Sequence, residues 1–176
     1  MMDIEVAQAI RLTDFRPADK DALVAYLSDW EVYRRTLRIP HPYTADDADR
    51  WLASLEGTTE RNGLNSNWAV RDRSGQLIGG VGLEGDAVSG SHRAEIGYWL
   101  AQSFWGQGIM TAVVGAVCGH AFETLGLAKI TAHVLPSNEA SARVLVKNGF
   151  EQEGYFRRHF LKAGELIDTR AFGRLR

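Results

Sequence analysis

The residues between Glu95 and Thr111 have the types and spacing expected of an anion-binding loop. A strand-like run ends at Leu100, and Gly106 and Gly108 then stand where a long amphipathic helix is predicted to begin. The first turn of a helix leaves several backbone N–H groups without intrahelical partners and carries about half a positive charge. Glycines here allow an anion to approach the backbone closely. The segment therefore predicts a phosphate-binding loop, and the alternative is a glycine-rich helix start that binds nothing.

Hydrophobic periodicity and turn residues predict the elements that position this loop. Apolar residues from Met110 to Leu125 recur at helical spacing, the clearest periodic signal in the chain. A first strand is predicted at Ala7–Leu12, and a polar, glycine-bearing loop is predicted at Glu56–Ser66. The other predicted elements are helices after Pro17 and Thr44, strands at Trp68–Val70, Leu77–Val81, Ala94–Leu100 and Lys129–Leu135, a turn at Asp86–Ser91, a short helix up to Asn148, and a hairpin of Phe150–Phe160 with Leu166–Phe172.

The order of these elements predicts an α+β fold in a single domain spanning residues 1–176. Short connections in the middle of the chain are typical of antiparallel strands, whereas the helix after Gly108 must cross over between its flanking strands. Those two strands are therefore predicted to be parallel within a mixed, mostly antiparallel sheet, which about four helices would flank.

Composition favours a globular protein with a substantial core. The chain has 176 residues, of which 45% are hydrophobic and 24% charged, and its net charge is −2. This balance gives no global basic field for nucleic acid, no apolar run suits a bilayer, and the first residues do not resemble a signal peptide. The single Cys118 excludes a multi-cysteine metal site, and its helical position predicts an inert core thiol. We expect a cytoplasmic protein that binds no metal, nucleic acid or membrane.

Two common phosphate-binding motifs do not fit the loop. A Walker loop needs Lys followed by Ser or Thr after its last glycine, but Ile109 and Met110 follow Gly108. A dinucleotide-binding loop needs a third glycine where Thr111 stands, in an alternating parallel α/β chain. Local features alone therefore leave the phosphate compound unidentified.

The loop and three further segments resemble the RimJ/RimL-type branch of the GNAT acetyltransferase superfamily. Gly106-Gln107-Gly108 is similar to the second half of that superfamily's Gln/Arg-x-x-Gly-x-Gly/Ala motif, whereas Ser103 departs from its first position. The three further segments are RLTDFRPADKDAL (11–23), IPHPYTADDADRWL (39–52) and SNEASARVLVKNGFEQEG (137–154). They occur in the order expected for the branch and extend the resemblance over nearly the whole chain.

The resemblance implies a GNAT-like fold with a splayed parallel strand pair and acetyl-CoA as co-substrate. The backbone near Leu100 would contact the pantetheine amides, and Asn138 matches a cofactor-contacting asparagine of the family. For Asn138 the alternative is a helix N-cap, and both roles are compatible. The pyrophosphate would lie on backbone N–H groups of the loop, contributed by Trp105, Gly106, Gln107, Gly108, Ile109 and Met110.

Acetyl transfer by direct attack on the thioester needs a neutral amine and a proton for the leaving thiolate. Ser141 follows Asn138 by three residues in the first turn of the short helix, and it is the predicted proton donor. Glu95 opens the strand that borders the splay and is the leading candidate base, with a salt bridge to Arg93 or a neighbour as the alternative. His133, on the other bordering strand, is the second candidate, and ordered water is the third.

The predicted function is an acetyl-CoA-dependent N-acetyltransferase acting on a primary amine, either a protein N-terminal α-amine or a small molecule. The alternatives are a non-catalytic acyl-CoA-binding or regulatory domain and a transferase of a longer acyl group. A homodimer is expected from the habit of the family. The acceptor is expected to enter over the two N-terminal helices and the last hairpin, where side chains that could line its path are Tyr33, His41, Tyr43, Tyr155 and Arg157.

Overall fold

A computed structural model describes residues 3–7, 9–62, 66–84 and 91–176. Five α-helices are present in these ranges: α1 (Lys20–Leu27), α2 (Trp30–Tyr33), α3 (Ala45–Asn62), α4 (Ile109–Glu123) and α5 (Glu139–Lys147). The strands are β1 (Asp3–Ala7), β2 (Ile10–Thr13), β3 (Asn67–Arg71), β4 (Leu77–Glu84), β5 (Arg93–Leu100), β6 (Lys129–Val134), β7 (Glu151–Lys162) and β8 (Glu165–Leu175). The predicted α+β class is confirmed, with α2 as a short helix beyond the four expected.

All eight strands form one sheet in the order β1-β2-β3-β4-β5-β6-β8-β7. Neighbouring strands are antiparallel except β5 and β6, which are parallel and joined through α4. This confirms the predicted crossover. A parallel pair requires such a long connection, because the chain must return to the same end of the sheet before the second strand begins.

The parallel strands stay paired over a short distance only. Residues Arg93–Glu95 of β5 pair with Lys129–Thr131 of β6. Beyond these residues β5 remains paired with β4 up to Leu100 on its other side. Strand β6 likewise remains paired with β8 as far as Val134. The two strands therefore diverge after their first three residues, and a gap opens within the sheet.

The alternation of side chains along each strand builds two cores, one on each face of the sheet. Trp68 and Val70 of β3 pack with α4 and α5, whereas Ala69 between them packs with α1 and α3. Strand β5 follows the same alternation, since Tyr98 contacts the first core and Trp99 the second. Whether a residue lies at an odd or an even position of a strand thus decides which helices its side chain contacts.

Two predicted boundaries were wrong. The expected first strand, Ala7–Leu12, is two antiparallel strands, β1 and β2, and the chain reverses near Ala9, whose φ is 74°. The predicted loop at Glu56–Ser66 is helical as far as Asn62, because one glycine within a helix costs only about 1 kcal/mol and does not end it. The predicted turn at Asp86–Ser91 lies outside the described residues, apart from Ser91. In the described part, no helix is long and apolar enough to cross a membrane.

A buried ion pair joins the start of α1 to the sheet. The Arg71 guanidinium donates to both carboxylate oxygens of Asp19 at 2.8 Å and to the Thr13 hydroxyl at 2.7 Å. The side chains of Arg71 and Asp19 are 5% and 8% exposed. A bidentate geometry with further hydrogen bonds is what a buried pair needs to compensate its desolvation.

We expect Asp19→Asn to lower the free energy of unfolding by about 3–5 kcal/mol, because it leaves a buried guanidinium without its counter-charge. Equilibrium urea unfolding measures this change. The matched control is Asp49→Asn, which breaks the exposed Lys20–Asp49 pair of 2.6 Å, and its expected cost is about 1 kcal/mol or less. Equal costs for the two substitutions would contradict the importance of the buried pair.

Candidate active site

A single cleft of about 850 Å³ connects the glycine loop, the gap between β5 and β6, and the segment that follows α2. The loop and the first turns of α4 and α5 line one end. The other end is lined by residues 35–40 together with Glu84, Glu95 and His133. The divergence of the two parallel strands therefore provides the passage between the two ends.

The glycine loop has the backbone geometry of an anion cradle. Gly106 and Gly108 have φ values of 76° and 77°, which non-glycine residues adopt at a steric cost. No heavy atom lies within 4 Å of the position that a Cβ would take at either glycine, so open space faces the backbone there. Gly108 is the N-cap residue of α4, whose first-turn N–H groups have no intrahelical partners.

Trp105 has a different role from the predicted one. Its backbone N–H donates to the Gln102 carbonyl at 3.1 Å within a 3-10 turn, so the cradle of N–H groups begins at Gly106. Its indole Nε1 donates to the Leu100 carbonyl at 2.8 Å, and the Arg35 guanidinium lies 4.7 Å from its ring centroid. Trp105 thus fastens the end of β5, and Leu100 has one carbonyl lone pair already engaged.

Asn138 links the start of α5 to the segment after α2. Its Oδ1 accepts from the Ser141 N–H at 3.1 Å, which makes it the N-cap of α5. Its Nδ2 donates to the Arg35 carbonyl at 3.1 Å, which ties α5 to the segment after α2. The N-cap role is confirmed, whereas contact with a cofactor remains a prediction.

Ser141 has a hydroxyl partner that the sequence reasoning missed. The Tyr98 hydroxyl lies 2.8 Å from Ser141 Oγ and 3.3 Å from the Ser141 carbonyl oxygen. Burial raises the pKa of Tyr98 to about 12, although the hydrogen bond to Ser141 acts in the opposite direction. Tyr98 therefore remains a protonated phenol at neutral pH and can orient the serine hydroxyl. Its position on β5, between the predicted base and the loop, was the available signal.

Glu95 is paired, but with Arg38 rather than Arg93. Both terminal nitrogens of Arg38 lie 3.2 Å from Glu95 Oε1, and Nη1 also lies 2.8 Å from Glu84 Oε2. Glu84 and Glu95 are cross-strand neighbours on β4 and β5. Burial raises the pKa of Glu84, the Arg38 charge opposes this, and the nearby Glu95 charge adds to it. Two carboxylates thus share one guanidinium at this end of the cleft.

His133 stands next to that carboxylate. Its Nε2 lies 4.0 Å from Glu95 Oε2, and its Nδ1 lies 3.2 Å from the Thr169 hydroxyl. Burial is the largest cause that lowers the pKa of His133 below 6.5, and the charges of His159 and Arg38 act in the same direction against that of Glu95. His133 is therefore neutral at pH 7. If Nδ1 carries the proton, Nε2 presents a lone pair toward Glu95.

The two sets of polar groups belong to opposite faces of the sheet. Glu95 and His133 lie at odd positions of β5 and β6, on the face of α1–α3, whereas Tyr98 lies on the face of α4 and α5. Ser141 on α5 meets Tyr98 on that second face. Groups that accept a proton and groups that donate one are thus separated by the sheet and connected only by its gap.

Lys162 fastens the final hairpin to this end of the cleft. Its Nζ donates to the carbonyls of Tyr33 at 2.6 Å and Thr36 at 2.5 Å, and it lies 4.1 Å from the Tyr33 ring centroid. Burial lowers the pKa of Lys162. Because Arg38 follows two residues after Thr36, this contact also holds the segment that carries Arg38.

Other predicted residues divide between the cleft and the core. Among the described residues, Tyr43 lines the cleft and is buried, whereas Tyr33, His41, Tyr155 and Arg157 do not line it. Cys118 is a buried core thiol, as predicted, and burial raises its pKa to about 11. In the described ranges, no group of three or more His, Cys, Asp or Glu residues could hold a metal ion. The cleft-lining cations missed by the sequence reasoning include Arg143 and Lys147, four residues apart on α5.

Comparison with known proteins gives concordant matches. A family model described as an acetyltransferase (GNAT) domain matches residues 9–151. The uncharacterized N-acetyltransferase YoaA of Bacillus subtilis is 36% identical over 64% of this chain and 63% of its own length, so the match spans less than two thirds of that relative. The [ribosomal protein uS5]-alanine N-acetyltransferase of Escherichia coli is 28% identical over 91% of this chain and 78% of its own.

The fold also matches solved structures. RimL, a ribosomal L7/L12 α-N-protein acetyltransferase in complex with coenzyme A, superposes with a TM-score of 0.84 over 99% of this chain and 98% of its own, at 21% identity. At that identity the likeness concerns the fold. Together with the family model, these matches confirm the GNAT and RimJ/RimL-type resemblance of the sequence.

Proposed function

The chain belongs to the GNAT acetyltransferase family, and we propose that it acetylates the α-amine of a protein N-terminus or a small-molecule amine of similarly low pKa. Membership of the family confirms, at family level, the predicted N-acetyltransferase activity with acetyl-CoA as co-substrate. The observation that carries the proposal is the cleft itself. It joins an anion cradle, through the gap in the sheet, to a carboxylate and a neutral imidazole.

The residues of the loop fit the pyrophosphate of acetyl-CoA. Open space faces Gly106 and Gly108, and the N–H groups from Gly106 to Met110 would hold the phosphates at the positive end of α4. Arg143 and Lys147, at the same end of the cleft, add positive charge. Leu100 and Asn138 border the passage in which the pantetheine would lie. The presence of coenzyme A in the RimL complex supports this assignment.

When bound, acetyl-CoA supplies a thioester carbonyl and a thiol leaving group. The side chains on the face of α1–α3 would receive the amine, because Glu84 and Glu95 attract a cation there. Glu95 would take the proton directly or through water, and neutral His133 is the second acceptor within 4.0 Å of it. On the opposite face, the Ser141 hydroxyl would donate a proton to the leaving sulfur while Tyr98 orients it.

The pKa of the amine favours an α-amine. With a pKa of about 8, roughly a tenth of an α-amine is neutral at pH 7, whereas a lysine of pKa about 10.4 is roughly 0.04% neutral. Glu95 is partly engaged with Arg38, so as a base it is better suited to an α-amine, which is deprotonated more easily than a lysine. The name of the Escherichia coli relative specifies an alanine of a ribosomal protein, which supports a protein acceptor in the cytoplasm. A homodimer remains part of the proposal from family habit.

The acceptor class can be tested with two peptides that begin with alanine. One has a free N-terminus and no lysine, and the other has an acetylated N-terminus and one lysine. We expect thiol release from acetyl-CoA at pH 7 with the first peptide and a rate lower by about tenfold or more with the second, because far less lysine is neutral. A faster reaction of the capped lysine peptide would contradict the α-amine assignment. Binding of acetyl-CoA by calorimetry without release for any amine would favour a non-catalytic domain.

We expect Ser141→Ala to lower kcat by about 10²–10⁴ while the Kd for acetyl-CoA changes little, because proton donation is lost and the backbone cap is kept. Steady-state kinetics and calorimetry separate the two effects. Ser103→Ala is the matched control, since this exposed serine lies beside the loop outside the cleft lining. Unchanged kcat in Ser141→Ala would remove the serine from the mechanism.

The base can be assigned by the pH dependence of kcat/KM. If Glu95 is the base, Glu95→Gln abolishes the acid limb and lowers the rate by about 10²–10⁴. If His133 is the base, the limb remains but moves to lower pH, because the carboxylate charge that raises the pKa of His133 is gone. We expect the first result. His133→Gln is the complementary variant, and it should keep an acid limb when Glu95 is the base.

A further inference from the structure

The final hairpin contains an irregularity directly beside His133. Phe156 of β7 pairs with Thr169 of β8, and the next pair is Phe160 with Ile167. Three residues of β7, Arg157–His159, therefore face the single residue Asp168. In a regular hairpin Arg158 would face Ile167, so the extra two residues change which side chains of β7 lie against His133.

Asp168 holds this bulge in place. One carboxylate oxygen accepts from the backbone N–H of Arg158 at 2.8 Å, and the other accepts from the Tyr155 hydroxyl at 2.7 Å. Arg158 has a φ of 52°, a conformation that a side chain with a Cβ adopts at a cost. These hydrogen bonds lower the pKa of Asp168, first through Arg158 and then through Tyr155, so the carboxylate is charged at neutral pH. The Asp168 carboxylate thus stabilises a positive φ at Arg158, which a non-glycine residue does not favour.

The bulge brings a set of rings against His133. His159 stacks on His133 with ring centroids 4.9 Å apart and an interplanar angle of 25°. Phe156 and Phe160 lie 5.8 and 5.5 Å from the same imidazole. These rings lie at or next to the irregularity, and a return of β7 to a regular register would move His159 and at least one of the two phenylalanines relative to β8.

The same segment also contacts the other partner of Glu95. The Arg38 guanidinium, which bridges Glu84 and Glu95, lies 5.3 Å from the Phe160 ring centroid. The bulge and the residue that follows it therefore contact both groups beside the Glu95 carboxylate, with His159 against the imidazole and Phe160 against the guanidinium. Neither contact involves Asp168 itself, which acts at a distance through the backbone.

We propose that Asp168 is a positioning residue that fixes the partners of the base, because it pins the β7 bulge against His133 and Arg38. The proposal rests on the proposed function in placing proton acceptance at Glu95 or His133. Around His133 the groups that titrate or carry charge are Glu95 on β5, His159 on β7 and Arg38 after α2, while Thr169 on β8 bonds its Nδ1. Loss of the bulge removes His159 and solvates the ring, and both changes raise the pKa of His133.

The test is a titration of the histidine Cε1–H resonances by proton NMR in the full chain, with His133 assigned through His133→Gln. We expect Asp168→Ala to move the His133 midpoint upward by about half a pH unit or more, in line with usual environmental shifts. The sign is diagnostic, because loss of the Asp168 charge alone would move the midpoint downward. Glu165→Ala, a loss of the same charge on the same strand, should leave the midpoint unchanged.

A second substitution tests the route through the backbone. Glycine adopts a φ of 52° without a Cβ clash, so Arg158→Gly in the Asp168→Ala background should return the midpoint toward that of the unmodified chain. If Asp168→Ala does not fold, Asp168→Asn is used, which keeps one acceptor oxygen and should give a smaller upward shift. An unchanged or lowered midpoint in a folded Asp168 variant overturns the proposal, and so does a raised midpoint that Arg158→Gly fails to correct. The titration needs neither acetyl-CoA nor an acceptor, so its outcome is independent of a failure to find acetyl transfer.

Discussion

The candidate active site depends on the early divergence of β5 and β6. These strands are hydrogen-bonded at three successive positions, Arg93–Glu95 with Lys129–Thr131, and then each continues only with its outer neighbour. Buried backbone groups require partners, so two inner edges left facing each other can be satisfied by an extended ligand that carries amides. The 3-10 turn and the indole of Trp105 hold the end of β5 at Leu100, at the loop end of the gap.

The candidate proton acceptors and the candidate proton donor lie on opposite faces of the sheet, on either side of the gap. The period of two along a strand sends Glu95 and His133 to the side of α1–α3 and Tyr98 to the side of α5, where it meets Ser141. A base and an acid on one face would be free to exchange a proton with each other. Because the sheet lies between them, the proposed base and acid would be connected through the reacting groups of a bound substrate.

Local sequence signals predicted the loop, the long helix and the parallel crossover, because glycine placement, helical period and connection length act over a few residues. The pairing of Glu95 with Arg38 and the contact of Tyr98 with Ser141 span 57 and 43 residues, so no local pattern reports them. The reversal at Ala9 lacks the glycine or asparagine that usually marks a positive φ. The bulge at Arg158 was missed for the same reason, since a carboxylate from β8 supplies what the local sequence does not.

The charges around Glu95 bear on how a weak base could suffice for the proposed acetyl transfer. Two carboxylates share the Arg38 guanidinium and can attract an ammonium group, while burial keeps His133 neutral beside them. Attraction alone would stabilise the protonated amine and oppose the reaction. An acceptor of low pKa avoids this conflict, because roughly a tenth of an α-amine is already neutral at pH 7. Under the proposed function, this end of the cleft therefore suits an acceptor amine of low pKa better than a lysine.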